Sequence, residues 1–166
     1  MEGVSPALPI MMKNSNRVNE TEERAEQQAG AQLASIEELV TCLEHAEEFE
    51  ASQNCEEDSE GDCMHGCMHE AGAARQTIQD DALSVEVRTD WHGVGAVEAC
   101  KPTHYKILLC WGGPAVQIIG TLDESNQPDS ARLQYQDWFT EWTDYPLTDA
   151  EEERLLKYAQ QFYFDE

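Results

Sequence analysis

One run in this 166-residue sequence crowds metal-ligand side chains together: Cys63-Met64-His65-Gly66-Cys67-Met68-His69, with Cys55 eight residues upstream. Thiolate and imidazole are the usual zinc donors, and on a helix Cys63/Cys67 or His65/His69 would share a face at i, i+4. Structural zinc sites pair one close couple of ligands with a distant second couple, a spacing missing here. The run also reads as a tandem copy, Cys-Met-His-Gly then Cys-Met-His-Glu, which a short duplication in a tolerant acidic loop explains. No cofactor is therefore expected; zinc held by Cys63, His65, Cys67 and His69 in a regulatory or interaction module is the alternative.

The remaining candidates for chemistry are sparse. Cys42, Cys100 and Cys110 would need a neighbouring base and a lowered pKa to act as nucleophiles. His92 and His104 are the only histidines in the second half, and neither lies in a catalytic motif. Gly93-Val94-Gly95 and Gly112-Gly113-Pro114 lack the glycine spacing and the following lysine of a phosphate loop, so they read as turns. Carboxylate pairs such as Asp80/Asp81 and Asp123/Glu124 arise by chance among 34 acids. The expectation is a protein that is not an enzyme, with a hydrolase lacking a visible signature as the remote alternative.

Charge is the outlier. Asp+Glu 34 against Lys+Arg 10 gives a formal net charge of -24. Such a surface does not grip nucleic acid or anionic lipid, because phosphate contacts need clustered Lys and Arg. It does steer basic surfaces toward itself. Residues 20–62 carry 15 acids and one base, Arg24. Were they wholly helical, at roughly 1.5 Å per residue they would present one net charge per about 4.6 Å, sparser than a duplex and nearer to a single strand. No apolar run approaches the roughly 18 residues of a membrane span. The short stretch Ala7–Met12 followed by Lys13 reverses the order of a secretory signal, so a cytoplasmic location with reduced cysteines is expected. Met1, Met11 and Met12 are each candidates for the start of the chain.

These residues need elements to hold them. Residues 1–19 have no hydrophobic period and are expected to be disordered. An acidic helical segment is expected over 20–50, its better part beginning at Ser35, where Ser35 and Glu38 have capping-box spacing. Ile36, Leu39, Val40, Leu43, Ala46 and Phe49 form one apolar stripe, opposed by Glu37, Glu38, Glu44, Glu47, Glu48 and Glu50. That stripe seeks a partner, either the C-terminal domain or another protein. Residues 51–70 read as a flexible Cys/His-containing insert, and 71–166 as an α+β globular domain. A short helix is expected over 71–80.

Alternation predicts strands at 83–88, 105–111, 114–122 and 132–137, joined by a Gly112-Gly113 hairpin turn and a loop over 123–130. Thr148 can cap a last helix whose Leu155, Leu156, Ala159 and Phe162 face the sheet. The fold class is thus α+β: an antiparallel meander of about four strands with a C-terminal helix, preceded by an acidic amphipathic helix. Most aromatics of the second half should be core. Trp138, Phe139 and Trp142, interleaved with Asp137, Glu141 and Asp144, are less easily buried and suit an anchor in a basic groove.

Six strings carry a resemblance: Leu83-Ser-Val-Glu-Val-Arg88, Tyr105-Lys-Ile-Leu-Leu-Cys110, Gly112-Gly-Pro-Ala-Val116, Ala131-Arg-Leu-Gln-Tyr-Gln-Asp-Trp138, Tyr158-Ala-Gln-Gln-Phe-Tyr163 and Leu33-Ala-Ser-Ile-Glu-Glu-Leu-Val40. Over residues 31–50 and 75–164 the chain resembles small acidic proteins encoded on bacterial phages, plasmids and genomic islands. The resemblance implies a mobile-element accessory protein, a setting in which acidic inhibitors of restriction or CRISPR enzymes are frequent. The expected function is a non-enzymatic anti-defence protein, of anti-CRISPR or anti-restriction type, that mimics nucleic acid and occupies a basic surface of a nuclease complex. Glu37, Glu38, Glu44, Glu47 and Glu48 would supply the field and Trp138, Phe139 and Trp142 the anchor. The partner is a basic nucleic-acid-binding protein; no direct nucleic-acid or membrane contact is expected, and a homodimer is an option. A generic soluble accessory protein is the plainest alternative.

Overall fold

The computed structural model describes residues 12–52, 70–94, 101–138 and 140–164. Their order is α1 (Met12–Ser52), α2 (Ala71–Asp81), β1 (Ser84–Arg88), β2 (His104–Cys110), β3 (Ala115–Thr121), β4 (Arg132–Gln136), β5 (Thr143–Asp144) and α3 (Asp149–Ala159). The five strands form one sheet in chain order, every neighbouring pair antiparallel. The α+β meander is therefore present with one strand more than the pattern indicates. β5 has two residues, too few to show a period. It is fixed by pairing Asp144 with Gln134 and Thr143 with Tyr135, and the Gln134 side-chain amide donates to Asp144 Oδ1 at 2.7 Å.

Alternation places Tyr105, Ile107 and Leu109 of β2, Val116 and Ile118 of β3 and Leu133 of β4 in the core. They pack in one cluster with Leu33, Ile36, Val40 and Leu43 of α1, Ile78 of α2 and Leu155, Tyr158 and Ala159 of α3. The apolar stripe of the acidic helix thus finds its partner within the chain. A β-bulge between Leu108 and Cys110 shifts the register, so Cys110 opposes Val116 and packs against this cluster.

α1 does not start at Ser35. It is continuous from Met12, and Ser35 is an exposed residue in its interior, so the capping box read at Ser35 and Glu38 is not one. The physical reason is the size of the packing residues: Ala25, Ala29 and Leu33 extend the stripe one contact per turn toward the N-terminus and are buried. Alanines carry little hydrophobic signal, yet they let neighbours approach closely. A methyl placed on Gly30 would meet the Tyr145 hydroxyl at 3.1 Å. The lead-in expected to be disordered over 1–19 overlaps the start of this helix, and residues 1–11 lie outside the described residues.

α3 begins as its sequence indicates. The Thr148 hydroxyl accepts from Glu151 N–H at 3.4 Å, and the Glu151 carboxylate accepts from Thr148 N–H at 2.7 Å. This reciprocal cap satisfies two helix-end donors. Hydrogen bonds from the Thr148 backbone, then from its hydroxyl, hold the Glu151 carboxyl below the usual carboxylate range. A carboxyl depressed by folding adds stability above its ordinary pKa of about 4.3 and loses it as pH falls through the folded value. Glu151→Gln is therefore expected to lower stability at neutral pH and to converge with wild type in acid. Thr148→Ala is expected to cost about 0.5–2 kcal/mol, read as a lower urea midpoint with unchanged slope.

Candidate functional site

The elements segregate charge. The three helices hold sixteen acids and six bases, a net -10, whereas the five strands hold two acids and three bases, a net +1. α2 and α3 both pack on α1, and α1 and α3 both contact the sheet. Acidic side chains therefore gather on the outside of the helical layer.

Within that layer the predicted residues divide. Glu38 and Glu48 are exposed and Glu37 is half-buried. Glu44 and Glu47 are bound internally: Lys157 Nζ lies 3.1 Å from Glu44 and 3.7 Å from Glu47, and Arg75 lies 2.8 Å from Glu47. Arg154 adds a contact to Glu44 at 3.8 Å. Glu50 accepts the Ala71 backbone N–H at 2.8 Å, at the positive end of α2. Two of the five glutamates assigned to the field thus clamp α2 and α3 onto α1 instead, because the few cations of the chain sit opposite them. Exposed Asp149, Glu152 and Glu153 of α3 extend the acidic surface.

The anchor residues divide as well. Trp138 is 65% exposed. Its indole lies over the β2–β3 turn, so close that a Cβ on Gly113 would fall 1.8 Å from Trp138 Nε1. Trp142 is half-buried, and Phe139 lies outside the described residues. Trp111, the last residue of the strand expected over 105–111, lies outside β2 and is 74% exposed at the start of the same turn. It follows the alternating strand β2 directly, so its spacing gives no warning that the strand has ended. Two tryptophans therefore flank Gly112 and Gly113.

Carboxylates lie near this end of the sheet. Cys110, next to Trp111, is bonded by the side chain of Gln28 in α1. Burial pushes up the Tyr135 hydroxyl pKa, helped by the charges of Glu26 and Glu22. Both glutamates are exposed, and sequence reading did not assign them to the site. Trp111 and Trp138 are thus exposed indoles at the β2–β3 turn, and Glu22 and Glu26 are exposed carboxylates whose charge reaches Tyr135 of β4; both kinds of group suit Arg and Lys side chains.

Among the described residues, chemistry of other kinds is thinly represented. The far face of the sheet holds a concavity of about 430 Å³ lined by Glu86, Arg88, His104, Lys106, Thr121 and Arg132, among others. Its cations are largely balanced: Lys106 lies 2.9 Å from Glu86, and Arg132 lies 3.2 Å from Asp144. The Thr121 hydroxyl bonds Asp129 and the Ser130 hydroxyl, while His104 Nδ1 lies 2.9 Å from the Thr103 hydroxyl and 3.7 Å from Asp90. Burial pushes the Cys110 thiol up, against the lowering that a thiolate nucleophile needs. No three His, Cys, Asp or Glu side chains among the described residues form a metal-holding group. Cys63, His65, Cys67 and His69 lie outside the described residues. No described helix is long and apolar enough to cross a membrane.

Neither a family model, nor a curated protein, nor a solved structure matches the chain.

Proposed function

We propose that this protein is a non-enzymatic acidic decoy, which occupies a basic, nucleic-acid-binding surface of a nuclease complex in the cytoplasm, in the manner of anti-restriction and anti-CRISPR inhibitors. The observation that carries this reading is the acidity of the helical layer: the three helices are net -10 and the strands net +1, with the remaining -15 in the segments outside these elements. An acidic helical layer attracts an approaching basic partner and raises its association rate.

The row of carboxylates is shorter than full helicity through residue 62 would make it, since α1 ends at Ser52. Between Glu22 and Glu50, α1 carries nine acids against Arg24. At 1.5 Å per residue that is one net charge per about 5.4 Å, against about 3.4 Å for a single strand. The carboxylates of α3 narrow this gap from the side. The decoy works by the field of a surface, with Trp111 and Trp138 as contact points, rather than by copying phosphate spacing.

Immobilised protein offered a bacterial lysate is expected to retain a nucleic-acid-binding protein that elutes as salt is raised and is displaced by added nucleic acid. Its association rate should fall about tenfold or more between low and physiological salt, as electrostatic steering is screened. Retention indifferent to both salt and nucleic acid would overturn the proposal.

A further inference from the structure

We infer that a second copy of this chain pairs antiparallel with the free edge of β1, so that two sheets become one. β1 is bonded to β2 on one side and, among the described residues, to nothing on the other. The opposite edge of the sheet is guarded by shortness, since β5 has two residues; β1 has five, with no proline or lysine to deter pairing.

Its apolar row is also unfinished. Val85 opposes Ile107 and Val87 opposes Tyr105. Both partners are buried, yet Val85 is 39% and Val87 41% exposed. Leu83, just before the strand, is 61% exposed, and Trp91, just after it, is fully exposed. These odd-numbered positions share the core side of the sheet when the strand is extended.

The sequence of the edge selects both the occupant and the register. Glu86 and Arg88 lie on the other face, and Arg88 forms no ion pair among the described residues. A two-fold axis at Glu86 or at Arg88 would set like charges opposite one another. An axis at Val85 would leave Arg88 opposite Ala82 of the other copy. With the axis at Val87, Glu86 of each copy faces Arg88 of the other, twice. That register, chosen by charge, also sets Val87 against Val87 and, once pairing continues the strand past its end at Arg88, Val85 against Thr89 and Leu83 against Trp91. The most exposed apolar groups around the strand are thus matched by the same shift that pairs the ions. Such self-complementarity is what a two-fold contact requires and a foreign peptide does not explain. The inference is independent of the decoy reading, and the two respond oppositely to salt. Two copies of net charge -24 repel, so screening favours the pair while it weakens capture of a basic partner.

Light scattering on the eluted full chain, over a concentration series at physiological salt, is expected to give twice the 18.7 kDa chain mass. Glu86→Arg and Arg88→Glu each place like charges opposite one another at two positions, and each should weaken self-association by about tenfold or more. Mixed in equal amounts, the two variants should form a dimer with each other, because the two arginines on the edge of one then face the two glutamates on the edge of the other. Restoration on mixing also shows that both variants are folded. Val87→Lys, which brings two ammonium groups together at the axis, should be monomeric with an unchanged circular dichroism spectrum. A wild type that stays monomeric throughout, single variants that dimerise as well as wild type, or a mixture that stays monomeric would each overturn the inference. Coverage of β1 only by a different protein would do the same.

Discussion

Ile36→Ala is expected to lower the free energy of unfolding by about 2–5 kcal/mol. Typical domain stability is only about 5–15 kcal/mol, so the loss is large enough to read without ambiguity. Ile36 is fully buried in the cluster that α1 shares with β2, β3, β4, α2 and α3. Alanine is the better helix former, so the change does not weaken the helix itself. What it removes is packing between the acidic helix and the sheet, and it leaves a cavity behind. Urea unfolding followed by far-ultraviolet circular dichroism should show one transition at a lower midpoint. Leu39→Ala, at a half-buried position on the rim of the stripe, should cost less. Two separate transitions, or an unchanged midpoint, would mean that α1 is an attachment and not part of the core.

The strands and the last helix were legible because each announces itself locally. Leu133 and Tyr135 alternate with polar neighbours, Gly112 takes the positive φ of 142° that a tight turn asks of glycine, and Thr148 and Glu151 have the spacing that closes a capping box. The apolar stripe Ile36, Val40, Leu43 and Ala46 was equally plain, and all four are buried. The true start of α1 was not, because Ala25 and Ala29 pack through smallness rather than hydrophobicity. β5 was hidden by its length. The division of labour among the glutamates is a tertiary fact: nothing in the spacing of Glu44 and Glu47 from Glu37, Glu38 and Glu48 shows that Lys157 and Arg75 fold back onto the first two. Likewise Trp111 continues the pattern of β2 and differs from a core residue only by lying past its end. The candidate site shifts accordingly, from a helix face of Glu37, Glu38, Glu44, Glu47 and Glu48 with Trp138, Phe139 and Trp142 as anchor toward an acidic layer with Trp111 and Trp138 exposed at one end of the sheet.

Removing four of the exposed carboxylates is expected to weaken partner capture about tenfold or more while leaving the fold intact. Glu38, Glu48, Glu152 and Glu153 are exposed and take part in none of the ion pairs that hold the helices together. Their joint replacement by glutamine removes four negative charges from the helical layer without touching the clamps at Glu44 and Glu47. Exposed ion pairs contribute little to folding, so the melting curve should barely move, and any loss of binding then reports the field alone. The converse control is Glu44→Gln, which should loosen the contact between α1 and α3 slightly and affect capture little.

The most direct measurement pits the protein against nucleic acid on the captured partner. With the partner purified and loaded with a labelled nucleic acid, wild type should displace the label at low and physiological salt, and the four-glutamine variant should need at least about tenfold more protein to do so. If that variant displaces the label as well as wild type does, or if neither displaces it while both still bind, the acidic layer is not standing in for phosphate.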